Sequence, residues 1–98
     1  MTVKLSERLD RFRASIRRVV EANRASNPRV FGSVARGDDS EESDLDLLVD
    51  SAPNMTLFDI GAIRHEVETL IGLPVDVVTL GSIPLAKRAR ILAEAKPL

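Results

Sequence analysis

Apolar residues recur at helical spacing over the first twenty positions of the chain. They are Leu5, Leu9, Phe12, Ile16, Val19 and Val20. Steps of three and four residues place all of them on one face of an α-helix. Ser6 is suited to cap this helix, which is expected to reach about Arg24, and the pair Asn27-Pro28 is expected to break it. The pattern therefore predicts an amphipathic first helix that packs through a single face.

Three short strands are predicted farther along the chain. They are expected at 29–31, 44–49 and 74–79, where apolar and β-branched residues are bounded by turn residues. Between the first two strands, the polar segment 34–43 predicts a short turn of helix and a loop.

Two further helices are predicted between and after these strands. The first is expected from Thr56 to Ile71, with Gly72 as its C-terminal stop. Its inward-facing residues are expected to be Leu57, Ile60, Ile63, Val67, Leu70 and Ile71. The second is opened by Ser-Ile-Pro at 82–84 and is expected to run to about Ala95.

These elements predict an α/β fold. The order is helix, strand, turn, strand, helix, strand, helix, and no repeat or linker divides it. A chain of 98 residues is the size of one domain, so residues 1–98 are expected to form a single domain. Strands separated by helices favour a small sheet with helices packed against it.

The composition is that of an ordinary globular protein. Hydrophobic residues make up 44% of the chain and the net charge is −1, so disorder is not expected. No apolar run approaches the roughly 20 residues of a membrane span, and the charged N-terminus does not resemble a signal peptide. The absence of cysteine excludes disulfides and thiolate metal sites. We expect a cytoplasmic protein without membrane contact.

Charge is segregated along the chain although its total is nearly balanced. Residues 1–36 carry nine Lys or Arg against three Asp or Glu. Residues 37–80 carry one against eleven, and residues 81–98 carry four against one. An acidic middle between basic ends favours a cation site flanked by surfaces that attract anions. For the first helix alone, a solvated basic face is the simpler interpretation.

The segment Asp44-Leu45-Asp46-Leu47 places two carboxylates on one face of a strand. Successive side chains alternate, so both aspartates point one way while the leucines point the other. The two aspartate Cα atoms are then about 7 Å apart, a span that one hard cation can bridge. Two like charges at this separation repel each other, and Mg²⁺ would supply the counter-charge. The alternative is that both aspartates simply face solvent.

Asp76 adds a third carboxylate from another predicted strand. Val75 and Val77 point to one face of that strand and Asp76 to the other. If the two strands are neighbours, about 4.8 Å apart, all three carboxylates converge on one patch. Three carboxylates can hold two cations, one at the triphosphate of a nucleotide and one that lowers the pKa of an attacking hydroxyl. Asp76 is then the base or a second-metal ligand, although solvent exposure explains this residue alone equally well.

Gly32 and Ser33 follow the first strand and precede the short helical turn. A glycine there lets the backbone approach a phosphate, and the serine hydroxyl and the N–H groups of a helix start can donate to its oxygens. Arg36 is a candidate phosphate or partner contact. Most Gly-Ser pairs are simple turns, so the value of this pair lies in its spacing to the aspartates.

A longer motif joins the Gly-Ser pair to the aspartates. Ten residues separate Gly32-Ser33 from Asp44, and Asp46 follows two positions later. Around them stand the strings Phe-Gly-Ser-Val-Ala-Arg-Gly and Ser-Asp-Leu-Asp-Leu-Leu-Val. With these residues the chain resembles the minimal nucleotidyltransferase branch of the DNA polymerase β-like nucleotidyltransferase superfamily. The resemblance runs from about residue 28 to 96.

The resemblance implies a fold, an activity and a site. The fold would be a small mixed β-sheet packed by helices, and the activity would be Mg²⁺-dependent transfer of a nucleoside monophosphate. Gly32 and Ser33 would hold the nucleotide phosphates. Asp44 and Asp46 would bind Mg²⁺, and Asp76, at the third acidic position of the family, would complete the catalytic and metal-binding set.

The resemblance also implies a partner. Minimal nucleotidyltransferases of this kind are commonly encoded beside a helical HEPN-domain protein, usually an RNase toxin. The implied reaction transfers AMP from ATP to a tyrosine of that toxin and silences it, which makes the nucleotidyltransferase an antitoxin. Because the sequence has nothing like a separate acceptor domain, the acceptor site would come from the partner or from a second copy of the chain.

Two other functions stay open. Adenylylation of a small molecule such as an aminoglycoside predicts activity without a protein partner and an acceptor cleft built by a homodimer. A non-catalytic antitoxin would neutralise its partner by binding alone, against which the three intact aspartates argue. The basic residues could touch nucleic-acid phosphates, but the three Phe available for base stacking are expected to lie in the core. Direct nucleic-acid binding is therefore not expected.

Overall fold

The computed structural model describes residues 5–39 and 43–98, and the predicted order of elements is confirmed there. The helices are α1 (Leu5–Ala22), α2 (Ser33–Arg36), α3 (Leu57–Ile71) and α4 (Leu85–Glu94), with a 3₁₀ helix at Leu80–Ser82. The strands are β1 (Ala25–Phe31), β2 (Leu45–Ser51), β3 (Val75–Thr79) and β4 (Lys96–Pro97). The sequence pattern does not predict the 3₁₀ helix or β4, because two or three residues are too few to show a period.

The strands form one sheet in the order β3-β2-β1-β4. β2 pairs with β3 in parallel, whereas β1 pairs antiparallel with both β2 and β4. The parallel pair is connected through α3, because parallel neighbours need a crossover rather than a hairpin. The small mixed sheet packed by helices is therefore confirmed.

The sheet carries an apolar layer on each face. Alternate residues of β2 and β3 pack into the larger core with α1 and α3; they are Leu45, Leu47, Val49, Val75 and Val77. On the other face, Leu48 packs with Ile83 and with Ile91 of α4. Since both faces are covered, burial of apolar surface fixes the direction of each β2 side chain.

The apolar stripe of α1 is confirmed where its side chains are described. Its buried or partly buried members are Leu9, Phe12, Ile16, Val19 and Val20. The side chains of Leu5 and Ser6, which the sequence places in the stripe and at the cap, lie outside those that the structure describes. Within the described ranges, neither α1 nor any other helix combines the length and the apolarity needed to cross a membrane.

The prediction that Asn27-Pro28 breaks the first helix is wrong, because both residues lie inside β1. The chain has already left the helix at Arg24, whose φ is 58°. The register of β1 with β2 then shifts between Ser26 and Arg29, and Asn27 adopts a φ of 50°. A proline is tolerated at such an irregularity because no ladder hydrogen bond is required of its nitrogen.

The start of α3 also differs from the prediction. Leu57, expected to face inward, is 87% exposed. The expectation that all three Phe lie in the core is wrong for Phe58, which is 89% exposed. Both lie in the first turn, whereas contact with the larger core begins at Ile60. The predicted end of the helix is confirmed, since Gly72 adopts a left-handed conformation and its N–H donates to the carbonyl of Glu68.

Candidate functional site

Asp46 is the second residue of β2 and lies between two buried leucines. Leu45 and Leu47 point into the larger core, so Asp46 points to the opposite face, which it shares with Leu48 and α4. The carboxylate is half-buried there. The alternation that the sequence predicts is thus present.

Asp76 is the register partner of Asp46 on the neighbouring parallel strand. The residues that flank the two aspartates pair as well, leucine with valine on both sides. Register partners on parallel strands point to the same face and lie about 4.8 Å apart. Asp44 precedes β2 by one residue and is exposed. The two strands that carry the aspartates are therefore neighbours, as convergence of the carboxylates requires.

The three aspartates interact through their charges. Burial and then the charges of Asp76, Asp44 and Glu94 raise the pKa of Asp46 from 3.8 to about 6. Arg36 lowers it, but this is the smallest of these influences. A like charge has such an effect only at short range. Asp46 is therefore the centre of an acidic patch formed with Asp44 and Asp76.

The side chains of the acidic patch are not oriented to coordinate a metal ion together. Among residues 5–39 and 43–98, no three side chains of His, Cys, Asp or Glu are arranged to hold a metal ion. The expected convergence is therefore present in strand positions and charges, but not in side-chain geometry. Aspartate side chains can rotate about two bonds, and strands about 4.8 Å apart leave their carboxylates within reach of a common cation.

Gly32 follows β1 directly and lies against Asp46. Its φ is 75°, which glycine adopts without strain. A Cβ at this position would collide with Oδ2 of Asp46 and would lie 3.3 Å from its Cγ. The preceding residue, Phe31, is the register partner of Asp46 on β1. The absence of a side chain thus allows the loop after β1 to contact the carboxylate.

Ser33 begins α2, a single turn that starts beside the acidic patch. The N–H of Arg36 donates to the carbonyl of Gly32, and the N–H of Asp38 donates to that of Ser33. Gly37 ends the turn in a left-handed conformation. The first N–H groups of a helical turn have no partner within it, and that of Ser33 belongs to this set. The structure therefore brings the predicted Gly-Ser pair next to the predicted aspartates.

Arg36 is held by two carboxylates. Its guanidinium donates to Oε1 of Glu94 at 2.5 Å and to Asp38 at 3.2 Å. Oε2 of Glu94 accepts the N–H of Gly32 at 3.2 Å. Local patterns cannot identify Glu94, because it contacts residues far away in the sequence. The sequence offers one indication that Glu94 is unusual, since it is the only acidic residue in the basic segment 81–98.

Comparison with known sequences identifies the family. Residues 13–98 match the nucleotidyltransferase domain. The chain is 41% identical over 66 residues to a candidate protein adenylyltransferase of Methanocaldococcus jannaschii, a match that covers 67% of this chain and 71% of that protein. It is 37% identical over 65 residues to the protein adenylyltransferase MntA of Thermococcus cleftensis, covering 66% of each.

Solved structures have the same fold. A candidate minimal nucleotidyltransferase superposes with a TM-score of 0.88 at 38% identity, over 98% of this chain and 97% of that one. A toxin–antitoxin structure with AMP-PNP gives a TM-score of 0.74 at 20% identity, over 87% and 70%. At that identity the second likeness shows the fold alone. The family match covers every candidate site residue, from Gly32 to Asp76, and the chain therefore belongs to the nucleotidyltransferase domain family.

Proposed function

We propose that the chain transfers AMP from ATP to a hydroxyl group of a partner protein, in a reaction that depends on Mg²⁺. The observation that carries the proposal is the register pairing of Asp46 with Asp76, beside Asp44 and in contact with Gly32. Membership of the nucleotidyltransferase family supports the transfer. The relatives named as protein adenylyltransferases support a protein acceptor.

The donor set of the acidic patch fits a divalent cation. Mg²⁺ prefers oxygen ligands, and carboxylates are the usual protein source of them. The raised pKa of Asp46, caused by burial and by Asp76 and Asp44, reflects negative charge that a cation would offset. Mg²⁺ held by Asp44, Asp46 and Asp76 would neutralise charge on the phosphates and lower the pKa of the attacking hydroxyl.

Gly32, Ser33 and Arg36 are proposed to hold the triphosphate. The bare backbone of Gly32 admits a phosphate at close range, and the hydroxyl of Ser33 can donate to its oxygens. The guanidinium of Arg36 can pair with two phosphate oxygens at once. Since these groups follow β1 directly and Gly32 touches Asp46, the phosphates would lie beside the acidic patch.

The transfer is a displacement at the α-phosphorus of ATP. The acceptor oxygen forms a bond to this phosphorus, the bond to the oxygen that bridges to the β-phosphorus breaks, and pyrophosphate leaves. The hydroxyl proton must go to a base. Asp76 is proposed for this role because it is exposed and lies on β3, the strand at the edge of the sheet, where an acceptor can approach.

The proposed acceptor is a tyrosine of a HEPN-domain toxin, and the chain would then act as a cytoplasmic antitoxin. The resemblance of the sequence motif to minimal nucleotidyltransferases supports this assignment, because it implies such a partner. So does the fold neighbour that forms part of a toxin–antitoxin structure with AMP-PNP, an analogue of ATP. Modification of a tyrosine adds a bulky anionic group, which can block a nucleic-acid site on the acceptor by charge repulsion.

Transfer of labelled AMP tests the proposal. The purified chain would be incubated with Mg²⁺ and ATP labelled at the α-phosphorus, with and without the product of the neighbouring gene. Variants Asp44→Asn and Asp46→Asn would be compared with Asp50→Asn. Asp50 is a matched control because it also lies on β2 but pairs with Arg29 through an ion pair.

Label on the partner protein with the wild type and the control, but not with the site variants, supports protein adenylylation. Label on a small molecule without the partner would redirect the assignment to that acceptor. Neutralisation of the partner without label, unchanged in both site variants, would overturn the enzymatic proposal in favour of an antitoxin that acts by binding.

A further inference from the structure

Glu94 fills an anion-binding position beside the acidic patch. Its Oε2 accepts the N–H of Gly32 at 3.2 Å, and its Oε1 accepts the guanidinium of Arg36 at 2.5 Å. The side chain is only 18% exposed, so it is seated between these donors rather than lying on the surface. A backbone N–H and a guanidinium are also the kind of donors that bind phosphate oxygens.

A glutamate is not favoured at the position of Glu94 in its helix. It is the last residue of α4, where the helix dipole favours a cation and disfavours a carboxylate. Glu94 is also among the charges that raise the pKa of Asp46, so it adds negative charge near a patch that is already acidic. The contacts with Gly32 and Arg36 are what offset these two unfavourable effects.

We propose that Glu94 is an internal substitute for a nucleotide phosphate, which closes the phosphate site in the nucleotide-free chain and has to leave before ATP binds. The inference rests on the proposed function, which assigns Gly32 and Arg36 to the triphosphate. The N–H of Gly32 has one hydrogen and cannot donate it well to two anions. A carboxylate and a triphosphate beside the same guanidinium also repel each other.

Arg90 offers the carboxylate of Glu94 a second partner once it leaves Gly32 and Arg36. Arg90 lies four residues earlier on α4, the spacing at which oppositely charged helical residues pair. The charge of Arg90 already contributes to lowering the pKa of Glu94, after the larger effect of Arg36. The freed carboxylate can therefore pair with Arg90 while Arg36 turns to the phosphates.

A closed site lowers the apparent affinity for nucleotide. If Glu94 occupies the donors in about nine of ten molecules, the apparent Kd for ATP is about tenfold weaker than that of the open site. The substitution Glu94→Gln keeps the size of the side chain but removes the charge that holds Arg36. We therefore expect this variant to bind ATP about fivefold to tenfold more tightly than the wild type.

Isothermal titration calorimetry with ATP and Mg²⁺ tests this expectation. The matched control is Glu66→Gln, because Glu66 lies on α3 and accepts a side-chain hydrogen bond from Asn23. Inorganic triphosphate serves as a second probe, since a gain that arises at the phosphate site does not need the adenosine. The double variant Arg36→Gln/Glu94→Gln should lose the gain, because the freed guanidinium is its source.

The proposal is supported if Glu94→Gln binds both probes more tightly than the wild type, while Glu66→Gln and the double variant do not. The KM for ATP should then fall by a larger factor than kcat changes. Equal or weaker ATP binding by Glu94→Gln, beside a wild type that binds ATP, overturns the proposal and leaves the proposed function intact. If neither protein binds ATP, the proposed function fails and this inference fails with it. Should Glu94→Gln not fold, Glu94→Asp is the second variant. Because the aspartate side chain is too short to reach both donors, this variant should also bind both probes more tightly than the wild type.

Discussion

Oδ2 of Asp46 fills the space that a side chain on Gly32 would need, so Asp46 can lie here only because residue 32 is a glycine. The contact joins the end of β1 to the start of its antiparallel neighbour β2. These two residues also belong to the two halves of the sequence motif. The fixed spacing between a Gly-Ser pair and an aspartate pair thus corresponds to a physical contact across the sheet.

Gly32→Ala is expected to impair both folding and AMP transfer. The added Cβ would push the carboxylate of Asp46 aside, and the φ of 75° is strained for alanine. We expect the free energy of unfolding to fall by about 1–3 kcal/mol. Urea denaturation measures the stability, and transfer of labelled AMP measures the activity.

Gly37→Ala is the control that separates the two causes. The φ of Gly37 is 78°, but no atom lies within 4 Å of a Cβ built there. This variant should therefore lose about 1–2 kcal/mol through backbone strain alone and keep its transfer activity. Equal losses of activity in the two variants would show that contact with Asp46 is not the reason for the glycine.

Features that depend on neighbouring residues could be predicted from the sequence, and features that depend on distant ones could not. The direction of Asp46 follows from the leucines on either side, and burial confirms it. Glu94 reaches Gly32 across 62 positions, which no local pattern encodes. The irregularity at Asn27 arises from pairing with β2, and the exposure of Leu57 arises from where α3 meets the core. Neither the strand irregularity nor the exposure of Leu57 follows from the local pattern of apolar and polar residues.

Leu57→Asn is expected to change stability little, contrary to what helical spacing predicts. Because the side chain is 87% exposed, its replacement removes almost no buried apolar area, and we expect a change below about 0.5 kcal/mol. Ile63→Ala, on the same helix but fully buried, should cost about 2–5 kcal/mol. Urea denaturation of both variants checks the contrast. A loss at Leu57 as large as that at Ile63 would contradict the exposed first turn.

Asp46→Asn is expected to stabilise the metal-free protein above about pH 6. Its pKa rises from 3.8 to about 6 on folding, so the folded state binds this proton more tightly than the unfolded state. Below 3.8 the carboxyl is protonated in both states. As the pH rises from 3.8 through about 6, the unfolded state loses this proton first, so the free energy of unfolding falls over this range and then stays at its lower value. Because the side chain is partly exposed, we expect an effect of about 1 kcal/mol rather than the full value of the shift.

Urea denaturation in EDTA, at a pH below 3.8 and at a pH well above 6, measures this dependence. Asp50→Asn is the control on the same strand. Its carboxylate pairs with Arg29, so its removal should lower the stability or leave it unchanged at the higher pH. If Asp46→Asn is no more stable than the wild type at the higher pH, the destabilising charge on Asp46 is absent.

Mg²⁺ is expected to stabilise the wild type and not the variants Asp46→Asn and Asp76→Asn. A cation that binds only the folded chain, at ten times its Kd, adds about 1.4 kcal/mol to the free energy of unfolding, which raises the melting temperature of a domain of this size by several degrees. The gain should grow as the pH rises through about 6, because protons compete with the cation for Asp46. Thermal unfolding with MgCl₂, compared with NaCl at equal ionic strength, separates specific binding from screening. An equal rise in wild type and variants would place the cation elsewhere than on the paired aspartates.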